Sequence, residues 1–316
     1  MRKSKQCILT LFFLFCFVAA NAQEVFTVVS DDSISTKNKL NVPGIISVCA
    51  VSPAIITGVY VYMHHTWWSE KETALHFDDG KDLTYALNLD KLGHYTASCL
   101  ASNGFSDILR VIGFSENTSL WGGAALSTVN ATIIELKDGY APYWGFSLYD
   151  ETANILGAFY PVLQAKVPFF KNINFKWSYD VDYSYNTVYY KYKVATESAS
   201  AYSFIDDYDR QYFWMTFDWA SIFCKDKPKY KFPYCIDFAI GFSGQNIKAE
   251  QYGEFDPSYS AADTHHQFFI GLDFNLTKLF KKKNVAYYVC KYANFYHLPM
   301  PALQVAPKAR GYWMMY

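Results

Sequence analysis

Three stretches of this chain carry ionisable side chains at helical spacing. Asp90, Lys91 and His94 open DKLGHYTASC, and Ser98 lies one further turn along. In a helix Asp90, His94 and Ser98 line one stripe. The second stretch, IELKDG, carries Glu135 and Asp138, with Thr128 and Ala131 on the stripe of Glu135. The third, GFSLYDETANILG, sets Asp150, Asn154 and Gly157 on one stripe. Three such helices facing one another bring His94, Glu135, Asp138, Asp150 and Asn154 into a small interior site. A histidine among carboxylates moves protons or holds a hard cation. The expected acid–base group is His94 with Glu135 and Asp150, and the expected binding group is Asp90, Lys91, Asp138 and Asn154.

Each of these residues also has a plain structural reading. Ser147-x-x-Asp150 is a capping-box pattern, and Asp90 suits an N-cap. Glu135 and Asp138 suit a solvated helix end. Gly139 fits a left-handed helix stop, and Gly157 permits a close backbone approach. Phe77-Asp78-Asp79-Gly80 reads as a turn whose acids approach the site or stay in water.

The order DKxxH, then a glutamate helix ending in Lys-Asp-Gly, then GFSxxDxxANxxG resembles the YfiM-like family of predicted bacterial envelope proteins. A looser likeness is to VanZ-like membrane proteins, which carry DKxxH, a glutamate, and a later Asp and Asn. The matching residues are Asp90, Lys91, His94, Glu135, Asp138, Ser147, Asp150, Asn154 and Gly157, over about Tyr60 to Gln164. Asp138 stands where the VanZ-like pattern has a glutamine. The resemblance implies an envelope location and no established activity.

Export is also expected from the first residues. Arg2, Lys3 and Lys5 precede an apolar core from Ile8 to Val18, and Ala20-Asn21-Ala22 is a cleavage pattern before Gln23. Cys16 has no lipobox-like setting. Cleavage removes three basic residues, so the net charge falls from −1 to −4. With no basic patch, nucleic acid is not an expected partner. Five cysteines remain (Cys49, Cys99, Cys224, Cys235 and Cys290), an odd number. Cys224 and Cys235 flank a turn and suit a hairpin bridge, or all five are buried small side chains. No Cys/His spacing suggests zinc, no metal set is assigned, and any cofactor is unknown.

After the leader (1–22) a flexible lead (23–41), a helical domain (42–165) and an aromatic-rich β domain (166–316) are expected. Val42–Met63 has no charge and is long enough to cross a bilayer or to form a bundle helix with Pro53 as a kink. From Asn174 to Tyr185 apolar and polar residues alternate, which is a strand signal. Val188–Val194, Tyr212–Trp219, Phe232–Phe242, Phe268–Phe274, Val285–Tyr296 and Tyr312–Tyr316 are the further expected strands. The fold class is α+β: a membrane-associated helical bundle, then an antiparallel sheet that is either barrel-like or a twisted meander.

Three functions fit this layout. The first is a non-catalytic envelope scaffold or binding module, membrane-associated, with a polar cluster in its helical domain. The second is an envelope enzyme using His94 and Glu135 or Asp150 on a lipid head group or cell-wall fragment, with a metal-assisted variant. The third is a pore with a wet Lys176/Asp180/Asp182 face. A membrane lipid or envelope component is the expected partner, at the periplasm or outer membrane. The sequence does not set the oligomeric state.

Overall fold

The computed structural model describes residues 40–68, 71–142, 144–180, 205, 207–224, 232–247, 264–280 and 285–315. The expected leader, the Val188–Val194 strand and Asp182 lie outside these. Four helices come first: α1 (Val42–Trp67), α2 (Leu89–Ile112), α3 (Glu116–Asp138) and α4 (Leu148–Lys166). Strands β1 (Ile173–Tyr179) and β2 (Gln211–Phe217) follow, then a short helix α5 (Trp219–Phe223). Next come β3 (Ile236–Gln245), β4 (His265–Phe274), helix α6 (Val285–Ala293), β5 (Met300–Ala306) and β6 (Arg310–Met315).

Helices α2, α3 and α4 pack together with polar seams. The side-chain oxygens of Ser115 and Ser147 cap α3 and α4 by accepting from Thr118 N and Asp150 N at 3.1 Å each. A β-carbon at Gly157 would run into the Tyr95 carbonyl oxygen, so glycine there sets the α2–α4 spacing. Gly139 does not adopt the left-handed stop. Its φ is −61°, and a side chain there would press on Leu75 and Phe146. The start of α1 is tied to the end of α2, where Asn41 N donates to Ile112 O at 2.9 Å. No helix among the described residues is long and apolar enough to cross a membrane, so the spanning alternative for Val42–Met63 is not supported.

The six strands form one antiparallel sheet in sequential order, β1 to β6, not closed into a barrel. Beyond β1 there is one short parallel bridge, Trp177 to Tyr296. The twisted meander is the form present. In this half one sequence expectation fails and one strand was not foreseen. Val285–Ala293 is a helix, because Lys291 Nζ and Tyr292 Oη each reach Asp107 Oδ2 of α2 at 2.6 Å. Met300–Ala306, unread in the sequence, is a strand, with an irregular register near Pro301. Cys224 and Cys235 are both free thiols, so no hairpin bridge joins them.

The polar face of β1 points inward. Lys176 is 1% exposed, and its Nζ lies 2.6 Å from Asp273 Oδ2 and donates to Asn294 Oδ1 at 2.9 Å. His297 Nδ1 meets Asp273 Oδ1 at 2.8 Å while its ring stacks on Trp214, centroids 4.0 Å apart. Burial pushes Asp273 up, but Lys176 and His297 outweigh it and hold its pKa below the ordinary carboxylate value. This dry, paired face corrects the expectation of a wet Lys176 lining for a pore. The other face of β1 and β2 lies on the helices, through Tyr95 against Phe175 (centroids 4.8 Å) and Leu89 against Phe213.

Candidate functional site

Helix α2 begins after an unusual turn. Ala86, Leu87 and Asn88 all have positive φ (47°, 54° and 62°), a conformation that costs roughly 1–2 kcal/mol per non-glycine residue. The turn follows the Asp78 loop, where Asp78 Oδ2 accepts from Gly80 N at 2.7 Å, so Asp78 caps its own turn. Asp82, from this loop, reaches the start of α2. There Lys91 Nζ lies 2.5 Å from Asp82 Oδ2, 2.7 Å from Asp90 Oδ2 and 2.8 Å from Asp150 Oδ1. One ammonium therefore gathers three carboxylates from a loop and two helices. Ser147 Oγ donates to Asp82 as well as capping α4.

One turn along α2, His94 Nδ1 lies 3.2 Å from Asn154 Oδ1 and 3.4 Å from Glu135 Oε1. Asn154 Oδ1 also accepts from Ser98 Oγ at 2.9 Å, and Asn154 Nδ2 donates to Glu135 Oε1 at 3.3 Å. An amide oxygen only accepts, so it favours the proton on His94 Nδ1. Nε2 is then the basic nitrogen, 3.8 Å from Asp150 Oδ1. The His94 side chain is 27% exposed against 15% for Lys91 and 2% for Glu135, so His94 is the most accessible member of the cluster.

Burial dominates the protonation of the acids. It pushes Glu135 up to about 9, helped by the charges of Asp150, Asp138 and Glu151 and opposed by the Ser147 backbone N–H. Burial also raises Asp90 to about 7 against the pull of Lys91. For Asp82 the upward push of burial loses to Lys91 and Ser147, and its pKa falls below the usual value. Lys91 is held above its ordinary value because hydrogen bonds to Asp150, Asp82 and Asp90 outweigh its own burial. At neutral pH Glu135 is a protonated acid beside an imidazole. Shifts of this kind concentrate at functional sites.

Six of the seven expected residues thus meet: Asp90, Lys91, His94, Glu135, Asp150 and Asn154. Asp138 does not join them. Its Oδ1 accepts from Trp68 Nε1 at 2.7 Å and holds the end of α1 to α3. Asp82 was missed, since the sequence singled out Asp78 and Asp79 of the same loop and no periodicity marks a residue placed by a left-handed turn. His94, Glu135 and Asp150 offer ligand atoms within 4.8 Å of one another, as do Asp82, Asp90 and Asp150. In the second group the Lys91 ammonium already takes the position of a cation. In the first, a metal ion on Asp150 would meet that same ammonium.

Residues 78–166 match a family of predicted periplasmic lipoproteins, DUF2279. The match covers a little over a quarter of the chain and contains the whole cluster. It supports an exported envelope protein of an uncharacterised family and carries neither the YfiM-like nor the VanZ-like naming. The same comparisons returned no match among curated proteins and none among solved structures.

Proposed function

We propose that this envelope protein rests on a lipid surface as a non-catalytic binding module, with the Lys91–His94 cluster as its polar binding site. The observation that supports this is the reversed polarity of α3. Leu126, Val129, Ile133 and Leu136 form a stripe exposed at 44, 56, 56 and 41%, while Ser119, Ser127 and Glu135 are buried. The sheet repeats it: Phe238, Ile240, Ile270 and Leu303 are exposed on a face without charge, over an interior holding Lys176, Asp237 and Asp273. Apolar patches of this extent mark interaction surfaces, and uncharged side chains over a polar interior suit lipid tails better than a polar-rimmed protein partner. No helix among the described residues is long and apolar enough to cross a bilayer, and the proposed contact is with a surface, at the outer membrane.

The test is flotation of the purified chain with phosphatidylethanolamine–phosphatidylglycerol vesicles. The chain floats, and Val129→Glu with Ile133→Glu stays at the bottom of the gradient. A parent chain that remains soluble and monomeric beside the vesicles would overturn the reading.

A second reading is favoured by His94 being the most exposed side chain of the cluster. Here His94 Nε2 is a general base on a lipid head group or cell-wall fragment, and the buried Glu135 carboxyl, 3.4 Å from His94 Nδ1, holds the ring from behind. Turnover of either substrate class that His94→Gln removes, with folding intact, would select it over the binding module.

A further inference from the structure

We infer that the cleft between the helices and the sheet is a second binding site, for a neutral hydroxylated ligand of one or two sugar rings. The cleft has a volume of about 320 Å³, at the low end for small-molecule sites. Its lining shares no residue with the Lys91–His94 cluster.

The walls are rich in carboxamides: Asn103 and Gln164 from α2 and α4, Asn174 from β1, and Asn275 and Asn294 beside α6. Several keep a hydrogen-bonding atom unspent among the described residues. Gln164 Nε2 donates to Ile173 O at 2.8 Å, and its Oε1 is unused. Asn103 Nδ2 donates to Cys99 O at 3.0 Å, and its Oδ1 is unused. Asn294 Oδ1 accepts from Lys176 Nζ and from Leu276 N, at 2.9 and 2.8 Å, and its Nδ2 is unused. Asn294 is only 8% exposed, so this donor is held in place and its open side is the cleft.

Of the three lysines in the lining, Lys278 and Lys291 are already neutralised, and Lys171 is exposed. Lys278 Nζ lies 2.6 Å from Asp218 and 2.9 Å from Asp237, and Lys291 Nζ lies 2.6 Å from Asp107. An anion at Lys278 or Lys291 would have to compete with those carboxylates. Neutral hydroxyls would not. A hydroxyl both donates and accepts, which suits carboxamides offering an oxygen on one wall and an N–H on the other. Phe175 and Phe295 supply apolar walls for the C–H faces of a ring.

The experiment is saturation-transfer NMR on the purified chain with maltose and with N,N′-diacetylchitobiose, and with inorganic phosphate as the anionic probe followed by thermal shift. Ring-proton signals are expected from at least one disaccharide at millimolar concentration. Asn174→Ala, whose side chain makes only a 3.3 Å contact with Gln164 Nε2, should weaken its Kd at least about five-fold with an unchanged melting temperature. If Asn174→Ala is unfolded, Asn103→Ala takes its place with the same expectation. Silence from both sugars overturns the inference. So does sugar binding indifferent to a folded variant, or phosphate binding in preference to sugar.

Discussion

Lys91 Nζ and Asp150 Oδ1, 2.8 Å apart, join the first turn of α2 to the first turn of α4. The same ammonium also holds Asp82 and Asp90, so it reconciles three acids in a largely buried corner.

Replacing Lys91 by Met should therefore cost about 3–5 kcal/mol, the range for breaking a buried ion pair on one side. Urea unfolding of the two proteins measures it. An equal midpoint would mean the acids are solvated and the cluster is a surface feature.

Stability should decline as pH rises from mildly acidic to alkaline. The folded pKa of Asp90 is raised from 3.8 to about 7 and that of Glu135 from 4.5 to about 9. Between each pair of values the folded chain binds more protons than the unfolded one. The contribution is thus complete below the unfolded value and lost as pH passes the folded value. Glu135→Gln should flatten the melting-temperature profile between pH 7 and 9 relative to the parent. Parallel profiles would show that Glu135 is ionised in the folded state.

The two helical glycines Gly157 and Gly104 should respond oppositely to alanine. At Gly157 the new methyl meets the Tyr95 carbonyl, and separating α2 from α4 should cost about 1–3 kcal/mol or more. At Gly104 nothing lies within 4 Å, so the helix preference for alanine should add up to ~1 kcal/mol. Thermal melts of both variants decide it, and similar losses at both sites would contradict the packing described.

Inside the sheet, Lys176→Met should cost about 3–5 kcal/mol by leaving Asp273 buried without its ammonium. The double variant Lys176→Met with Asp273→Leu should recover most of that loss, since an apolar pair of similar volume tolerates the site. Chemical denaturation of the three proteins gives the comparison. A double variant no better than the single would assign the loss to the His297 contact of Asp273.

Much of the cluster was legible because helical periodicity is local. The spacing Asp90–His94–Ser98 and the pair Asp150–Asn154 fix a shared stripe whatever the helices pack against. Asp138 looked equivalent to Glu135 but sits three residues on, and that rotation turns it toward Trp68. Asp82 was invisible because its approach depends on the Ala86–Asn88 backbone, where Asn88 suits a positive φ but Ala86 and Leu87 give no sign of one. The strand-like composition of Val285–Ala293 gave way to a helix once Asp107 offered partners to Lys291 and Tyr292.

The amino-acid order by itself determined that α2, α3 and α4 each carry a polar stripe and that β1 has two unlike faces, because both follow from the repeat of the backbone. Only the tertiary structure decided which face is inside. Alternation is symmetric with respect to interior and exterior, and the choice rests on distant partners such as Asp273 for Lys176 and Asp82 for Lys91.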